Sequence, residues 1–345
     1  INDYVAADEI FEEYAYYSSY SSSWLRHAED YVAMISERLG LDSQSFVVEL
    51  ASNDGYLLQY FVGREIPCLG VEPSKNVSAA AIERGVPTDV AFFGAETAAE
   101  MASEGKMADL VLGNNVLAQV PDLNDFVSGI PRILKPSGTV TIEFPHIMRL
   151  VEESQFDTIY HEHFCYFGLL SAEAVFARHG MTIFDVEEIW THGGSLRIYA
   201  RHDDDVSRPV SERVHELRER ELAAGYADVE MYARFEERVR ETKRKLLDLL
   251  IELKREGKVI AGYGAPGKGN TLLNYCGIRG DFIDFTVDRN PYKHGRYTPG
   301  THIPIHDPEV LETEKADYIV ILPWNLTDEI AAQLAHLRDR GTTFV

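Results

Sequence analysis

A chain of 345 residues exceeds what one ordinary hydrophobic core organises, so two domains are expected. Hydrophobic residues make up 45% and charged residues 26%, which excludes a disordered or fibrous chain, and no apolar run approaches the ~18 residues of a membrane span. With 33 basic against 56 acidic residues and a formal charge of −23, neither nucleic acid nor membrane is an expected partner, and an anionic ligand calls for a local basic or backbone-amide pocket. Cys68, Cys165 and Cys276 are far apart and form no CxxC, which argues against a disulfide framework and for a reducing, cytoplasmic setting. The chain opens on Ile rather than Met, so residues are expected upstream.

Residues 1–43 are rich in Tyr, Ser and acids, then turn helical. Tyr14, Tyr16, Tyr17 and Tyr20 cluster ahead of an amphipathic run from Trp24 to Leu39 that Gly40 closes. The tyrosines suit half-buried packing or a ligand-facing role. Residues 44–204 alternate: strands at 46–50, 68–71, 109–112 and 139–144, helices at 56–62, 77–84, 95–104 and 123–134. That pattern predicts a parallel sheet with helices on both faces. Runs at 182–190 and 196–200, joined by Thr191-His192-Gly193-Gly194, predict an antiparallel pair closing the sheet edge. Residues 205–256 read as a charged helical connector of two helices broken near Gly225. Residues 257–345 restart the alternation, with strands at 258–261, 282–287 and 318–322 and helices reaching Tyr275 and spanning 327–338. The fold class is therefore α/β, a Rossmann-like domain followed by a second, smaller one.

Three strand ends of the first domain carry ligand chemistry. Glu49-Leu50-Ala51-Ser52-Asn53-Asp54-Gly55 puts an acid at a strand end, then a small-residue turn, then a glycine entering a helix. Such a turn lets backbone N–H groups approach an adenosyl ligand, and it is not the GxGxxG of a dinucleotide site. Glu72, in Gly70-Val71-Glu72-Pro73, is placed to accept from both ribose hydroxyls; Asn114 and Asn115 end a third strand. Ligands bind beyond the carboxyl ends of such strands, so the three segments favour S-adenosylmethionine over another nucleotide, while strand capping remains the competing role for the two acids.

Tyr160-His161-Glu162-His163-Phe164-Cys165-Tyr166-Phe167 is the densest polar-aromatic run of the chain. Histidine titrates nearest neutrality and can take and return a proton, so the run suits acid–base chemistry; a structural loop is the alternative. A metal is disfavoured, because the spacing is not HExxH and no third ligand is evident. Further on, Gly262-Tyr263-Gly264-Ala265-Pro266-Gly267 satisfies GxGxxG, and Asp288 ends the next strand. This turn suits NAD, or a sugar diphosphate held by backbone amides and Lys268 with Arg289, Lys293 and Arg296 nearby.

Taken in order, the Glu49–Gly55 turn, Gly113-Asn-Asn-Val-Leu-Ala118, Tyr160–Phe164, Thr191-His-Gly-Gly-Ser-Leu-Arg197 and Gly262–Asn270 resemble the nucleotide-deoxysugar C-methyltransferase family, whose best-known members act on TDP-4-keto sugars. The resemblance runs from about Tyr14 to the end. It implies a class I S-adenosylmethionine-dependent methyltransferase of deoxysugar and antibiotic biosynthesis. A base removes the proton beside the ketone of a TDP-linked 4-keto-deoxysugar, and the enolate carbon takes the methyl group. His163 matches the base, Tyr160 and Glu162 the polar residues around it, and Tyr14 a residue at the sugar. Gln119 stands where the family usually has His; it can hydrogen-bond but cannot shuttle a proton. Gln119, His146, His192, Lys268, Asn270, Arg289 and Arg296 are the expected substrate contacts, with the C-terminal domain completing the nucleotide-sugar site. The family's amino-terminal zinc-binding domain is missing from the chain, so no metal is expected in it, and a monomer is favoured. An NAD-dependent oxidoreductase and a non-catalytic nucleotide-sugar-binding protein are the rival readings.

Overall fold

A computed structural model describes residues 14 and 16–345. The chain forms two compact units, one comprising the described chain through Met148 with His161–Ala227, the other Arg149–Tyr160 with Asp228–Val345. The first holds a seven-stranded sheet of β1 (Val47–Leu50), β2 (Cys68–Val71), β3 (Thr88–Asp89), β4 (Ala108–Asn114), β5 (Leu134–Pro145), β6 (Met181–Ile189) and β7 (Ser195–His202), in the order β3-β2-β1-β4-β5-β7-β6. The pairs from β3 to β5 are parallel, while β7 lies antiparallel between β5 and the edge strand β6. The predicted hairpin thus closes the sheet as expected.

Every residue of β1 and β2 is buried, as covered parallel strands require. Alternation sorts their side chains. Val47, Leu110 and Leu112 pack with Ile35, Leu58 and Phe61 on one face, whereas Val48, Leu50 and Val111 pack with Ile130 and Phe176 on the other. The helix Ser22–Leu39 buries Trp24, Ala28, Tyr31, Val32 and Ile35, a single stripe at helical spacing. Its start is capped by Ser21, whose hydroxyl accepts from the Trp24 N–H at 3.3 Å, and Gly40 ends it with a left-handed φ of 64°. The chain leaves β1 towards β2 on one side and reaches β4 on the other, so a crevice opens at the carboxyl ends of β1 and β4.

The second unit holds a five-stranded parallel sheet of β8 (Ile260–Tyr263), β9 (Phe285–Val287), β10 (Ile305–His306), β11 (Tyr318–Ile321) and β12 (Thr343–Phe344), in the order β10-β9-β8-β11-β12. The helical stretch read as a connector divides at Gly225. Its first helix, Glu212–Ala223, belongs to the first unit, and its second, Val229–Arg255, belongs to the second, where Leu250 and Leu253 pack on Ile260, Leu273 and Val320. The excursion 149–160 also belongs there, with the Phe156 ring 5.1 Å from that of Tyr275. No helix of the described residues is long and apolar enough to cross a membrane.

Candidate active site

The turn after β1 is tight, with Ala51, Asn53 and Gly55 all at positive φ. Ser52 sits against Gly70 of β2, where any Cβ would overlap its hydroxyl, so glycine is required there. Glu49 is fully buried and neither of its carboxylate oxygens has a partner among the described residues. Burial, then Glu72 and Asp54, push its pKa well above the usual 4.5. Ser52 Oγ, Asp54 Oδ1 and Asn115 Oδ1 are likewise buried without a partner. Natural proteins rarely leave such atoms unpaired, and these lie on neighbouring loops at the carboxyl ends of β1 and β4. The set fits a polar ligand carrying both donors and acceptors.

The other expected cofactor residues are partly engaged by the fold itself. Glu72 accepts from the Asn53 N–H at 3.0 Å and the Ser74 N–H at 2.9 Å, which leaves each oxygen one further acceptor site. Asn53 accepts from the Ser18 N–H at 2.9 Å and donates to the Tyr16 carbonyl at 3.1 Å. Asp54 Oδ2 pairs with Arg84 at 2.9 Å and accepts from the Ser19 hydroxyl. Residues 16–19 are thereby strapped onto the turn. Asn76 extends the strap by exchanging hydrogen bonds with the Tyr14 backbone, and Tyr14 is half-buried there, while Tyr16 and Tyr20 are exposed. At the end of β4, Asn114 pairs in register with Glu143 of β5, and Asn115 donates its N–H to the Glu143 carbonyl at 2.8 Å.

Glu49 gives the ligand-free protein a pH signature. Its folded pKa is raised, so its contribution to stability is present below the ordinary value of 4.5 and is lost as pH rises towards the folded value. Thermal melts are expected to fall over that window in the wild type and to flatten in Glu49→Gln. Superimposable pH profiles for the two proteins would contradict this.

The polar-aromatic run is laced across the same end of the sheet. Phe164 and Cys165 donate to the Ala118 carbonyl at 2.7 and 3.2 Å, and Ile147 donates to the Phe167 carbonyl at 2.9 Å. The run therefore lies between the short turn Leu117–Gln119 that follows β4 and the end of β5, bringing His163 beside Ala118 and Gln119. His163 and Glu162 are half-buried, and the His163 ring meets Tyr166 edge-on at 6.2 Å. Tyr160 belongs to the second unit, where its ring lies beside Gly267.

The expected substrate residues fall into distinct settings. His146 is buried with Nε2 2.7 Å from Glu221 and Nδ1 unpartnered among the described residues, so the fold holds it. His192, at a left-handed φ of 55°, turns its ring edge towards Trp24 at 4.9 Å. Lys268 donates to Asn325 at 2.7 Å and lies 4.5 Å from the Trp324 ring; burial pulls its pKa down to about 8 against the opposing pull of Asp157. Asn270 Oδ1 is buried without a partner among the described residues. Arg289 and Arg296 are exposed. Asp288, the acid an NAD ribose would need, accepts from the Ala265 and Asn290 N–H groups and pairs with Lys293 at 3.0 Å, so its carboxylate already serves its own loop.

Two groups escaped the sequence reading. Asp157, buried, accepts from Trp324 Nε1 at 2.8 Å beside Lys268. Glu143, fully buried, accepts from Arg197 at 2.9 Å, Thr191 at 2.8 Å and His27 at 3.0 Å. The available signals were an acid ending β5 and a Pro-Trp-Asn turn after β11.

A parallel sheet closed by an antiparallel final pair, with acids and unpaired polar atoms where β1 and β4 end, is the architecture of a class I S-adenosylmethionine-dependent methyltransferase. Residues 24–186 match the family described as a methyltransferase domain, and residues 190–345 match the C-methyltransferase C-terminal domain. Over 344 residues the chain is 35% identical to the C-methyltransferase NovU of Streptomyces niveus, covering 99% of this chain and 81% of that protein. The chain belongs to this C-methyltransferase family. Solved structures similar to it include the PH0226 protein of Pyrococcus horikoshii, with a TM-score of 0.45 and 16% identity over 57% of this chain and 100% of that one. Another is magnesium protoporphyrin IX methyltransferase of Synechocystis with bound SAH, at 0.41 and 12% over 51% of this chain and 82% of that one.

Proposed function

We propose that the protein methylates, at carbon, a TDP-linked 4-keto-deoxysugar at the position next to the ketone. The observation that carries this reading is the lacing of His161–Phe167 against Ala118 and the end of β5, at the sheet end where Glu49, Ser52, Asp54 and Asn115 keep unpaired polar atoms. Those four, with Glu72, Gly55 and Asn114, would hold S-adenosylmethionine. When bound, the cofactor supplies a methyl group as an electrophile. The chain's own residues prepare the nucleophile. A ketone acidifies the neighbouring C–H; His163 takes that proton, and the electron pair remains as an enolate. Glu162 orients the imidazole, with Tyr14 and Gln119 as further hydrogen-bonding partners. Phe164, Tyr166 and Phe167 limit water around the base, which strengthens its electrostatic interactions.

In the second unit, Lys268 and Asn270, on the turn and helix after β8, take the diphosphate. Lys268 titrates near 8 and is the cation there below that pH, so TDP affinity is expected to decline as pH rises through about 8. Binding is also expected to take up a proton, since an anion favours the charged amine. Lys268→Met should weaken TDP binding about tenfold and remove the pH dependence. Titration followed by Trp324 fluorescence reads both effects; a pH-independent affinity in the wild type would remove Lys268 from the phosphate site.

The deciding experiment is mass spectrometry of a TDP-4-keto-deoxysugar incubated with the protein in heavy water, with and without S-adenosylmethionine. Methyl gain with exchange of the proton beside the ketone supports the reading. Methyl gain at oxygen without exchange, or neither change, overturns it.

A further inference from the structure

The helix Ser22–Leu39 delivers His27 to the same sheet end. Its Nε2 lies 3.0 Å from Glu143 Oε2. Glu143 is fully buried; burial raises its pKa, but the His27 hydrogen bond and Arg197 outweigh this and bring it to about 2. The carboxylate is therefore an anion and only accepts hydrogen bonds. Nε2 also lies 3.4 Å from Arg197 Nη2, but its shorter contact is to the anionic carboxylate, so Nε2 carries the hydrogen and donates it there, which makes Nδ1 the lone-pair nitrogen. Among the described residues nothing hydrogen-bonds to Nδ1. An imidazole set in one tautomer by a buried carboxylate, with its basic nitrogen unengaged, is the arrangement of an oriented general base.

The surroundings set this pair beside the proposed methyl-transfer centre. The His27 ring stacks on Trp24 at 5.0 Å, and Trp24 stacks in turn on Tyr56 at 5.8 Å, the residue after Gly55 of the cofactor turn. Trp24 also meets His192, and His27 meets Trp190, which is 68% exposed. Glu143 pairs with Asn114 across β4 and β5. The pair thus lies between the cofactor turn and the 190–194 turn, with an open edge past Trp190.

We propose that His27, oriented by Glu143, is a second general base of this centre, acting alongside His163. This rests on the C-methylation reading above. The substrate C–H bond breaks with its electron pair left on carbon and its proton on His163; that proton is passed to His27 Nδ1 and leaves to water past Trp190, which returns His163 to its basic form. Gln119, beside His163, cannot pass that proton on, so a base from another element supplies the relay this position lacks.

The test uses the full chain and His27→Gln, which can still donate to Glu143 but cannot accept a proton. Turnover is expected to fall about a hundredfold through kcat with KM little changed. Deuterium wash-in beside the ketone, measured without S-adenosylmethionine, should fall with it, while S-adenosylhomocysteine affinity stays at the wild-type value. In His27→Gly, added imidazole should restore wash-in. Unchanged wash-in in His27→Gln, or a loss that tracks weakened S-adenosylhomocysteine binding and is not rescued by imidazole, overturns the proposal. Failure of the wild type itself to exchange or methylate is a different result, and it would strike the function reading instead.

Discussion

Replacing His163 with Asn is expected to lower turnover by about two to four orders of magnitude, while S-adenosylhomocysteine binds as before. Asparagine keeps a polar group of similar reach, and the backbone bonds from Phe164 and Cys165 to Ala118 do not involve the side chain, so the run stays in place. What disappears is a group able to hold a proton near neutral pH. The unpaired polar atoms that suit the cofactor belong to Glu49, Ser52, Asp54 and Asn115, on other segments. Kinetics with calorimetric titration of S-adenosylhomocysteine separates the two effects. A variant within a few-fold of the wild-type rate would show that His163 is not the base, and would leave His27 as the leading candidate.

The largest expected effect on stability comes from Glu221→Ala. Glu221 is 1% exposed and accepts three hydrogen bonds, from His146 Nε2 at 2.7 Å and from the Leu169 and Leu170 N–H groups at 2.6 and 2.9 Å. It thereby caps the helix Leu169–Arg178 from a different helix and pins the end of β5. Its carboxylate fills the space a Cβ on residue 168 would need, which is why Gly168 stands there. Removing it leaves the buried His146 and Leu169 donors unpaired and the half-buried Leu170 N–H without its partner, for a loss of about 3–5 kcal/mol. For a unit of this size that is a fall in melting temperature of about 10 °C. Glu221→Gln, which preserves volume and one acceptor, should fall between the two. Matching urea midpoints for Glu221→Ala and the wild type would show that the three bonds stabilise nothing.

The alternation of the chain was legible because covered parallel strands write themselves as short β-branched runs between amphipathic helices. Strands β1, β2, β4 and β5 and the β6–β7 pair lie within a few residues of their predicted places. The two-residue strands β3, β10 and β12 were not, since two residues carry no period. The helix Leu169–Arg178 was also missed: Ser171 caps it locally by accepting from the Gly168 N–H, but its first amides are held by a side chain 52 residues away. In the site, the segments were legible and the side-chain duties were not. Asn53 and Asp54 read as cofactor ligands, and no local pattern signals that their side chains also fasten residues 16–19, Asp54 through Oδ2 while its Oδ1 stays unpaired among the described residues. His27 read as one more position on an amphipathic helix, and only tertiary packing sets it against Glu143. Long-range polar pairing of this kind leaves no periodic trace.

The chain passes from one unit to the other three times, at 148, 160 and 227, whereas the two family matches meet near residue 188, inside the β6–β7 pair. Modules recognised by sequence and modules that fold are therefore different objects in this protein. A chimera joined at the boundary between family matches would divide a hairpin between two parents. A second unit cut out as 228–345 would lack Phe156 against Tyr275 and Asp157 against Trp324. Recombination that exchanges the second unit between relatives would have to carry 149–160 along with the C-terminal segment, so inheritance in this architecture is discontinuous along the gene.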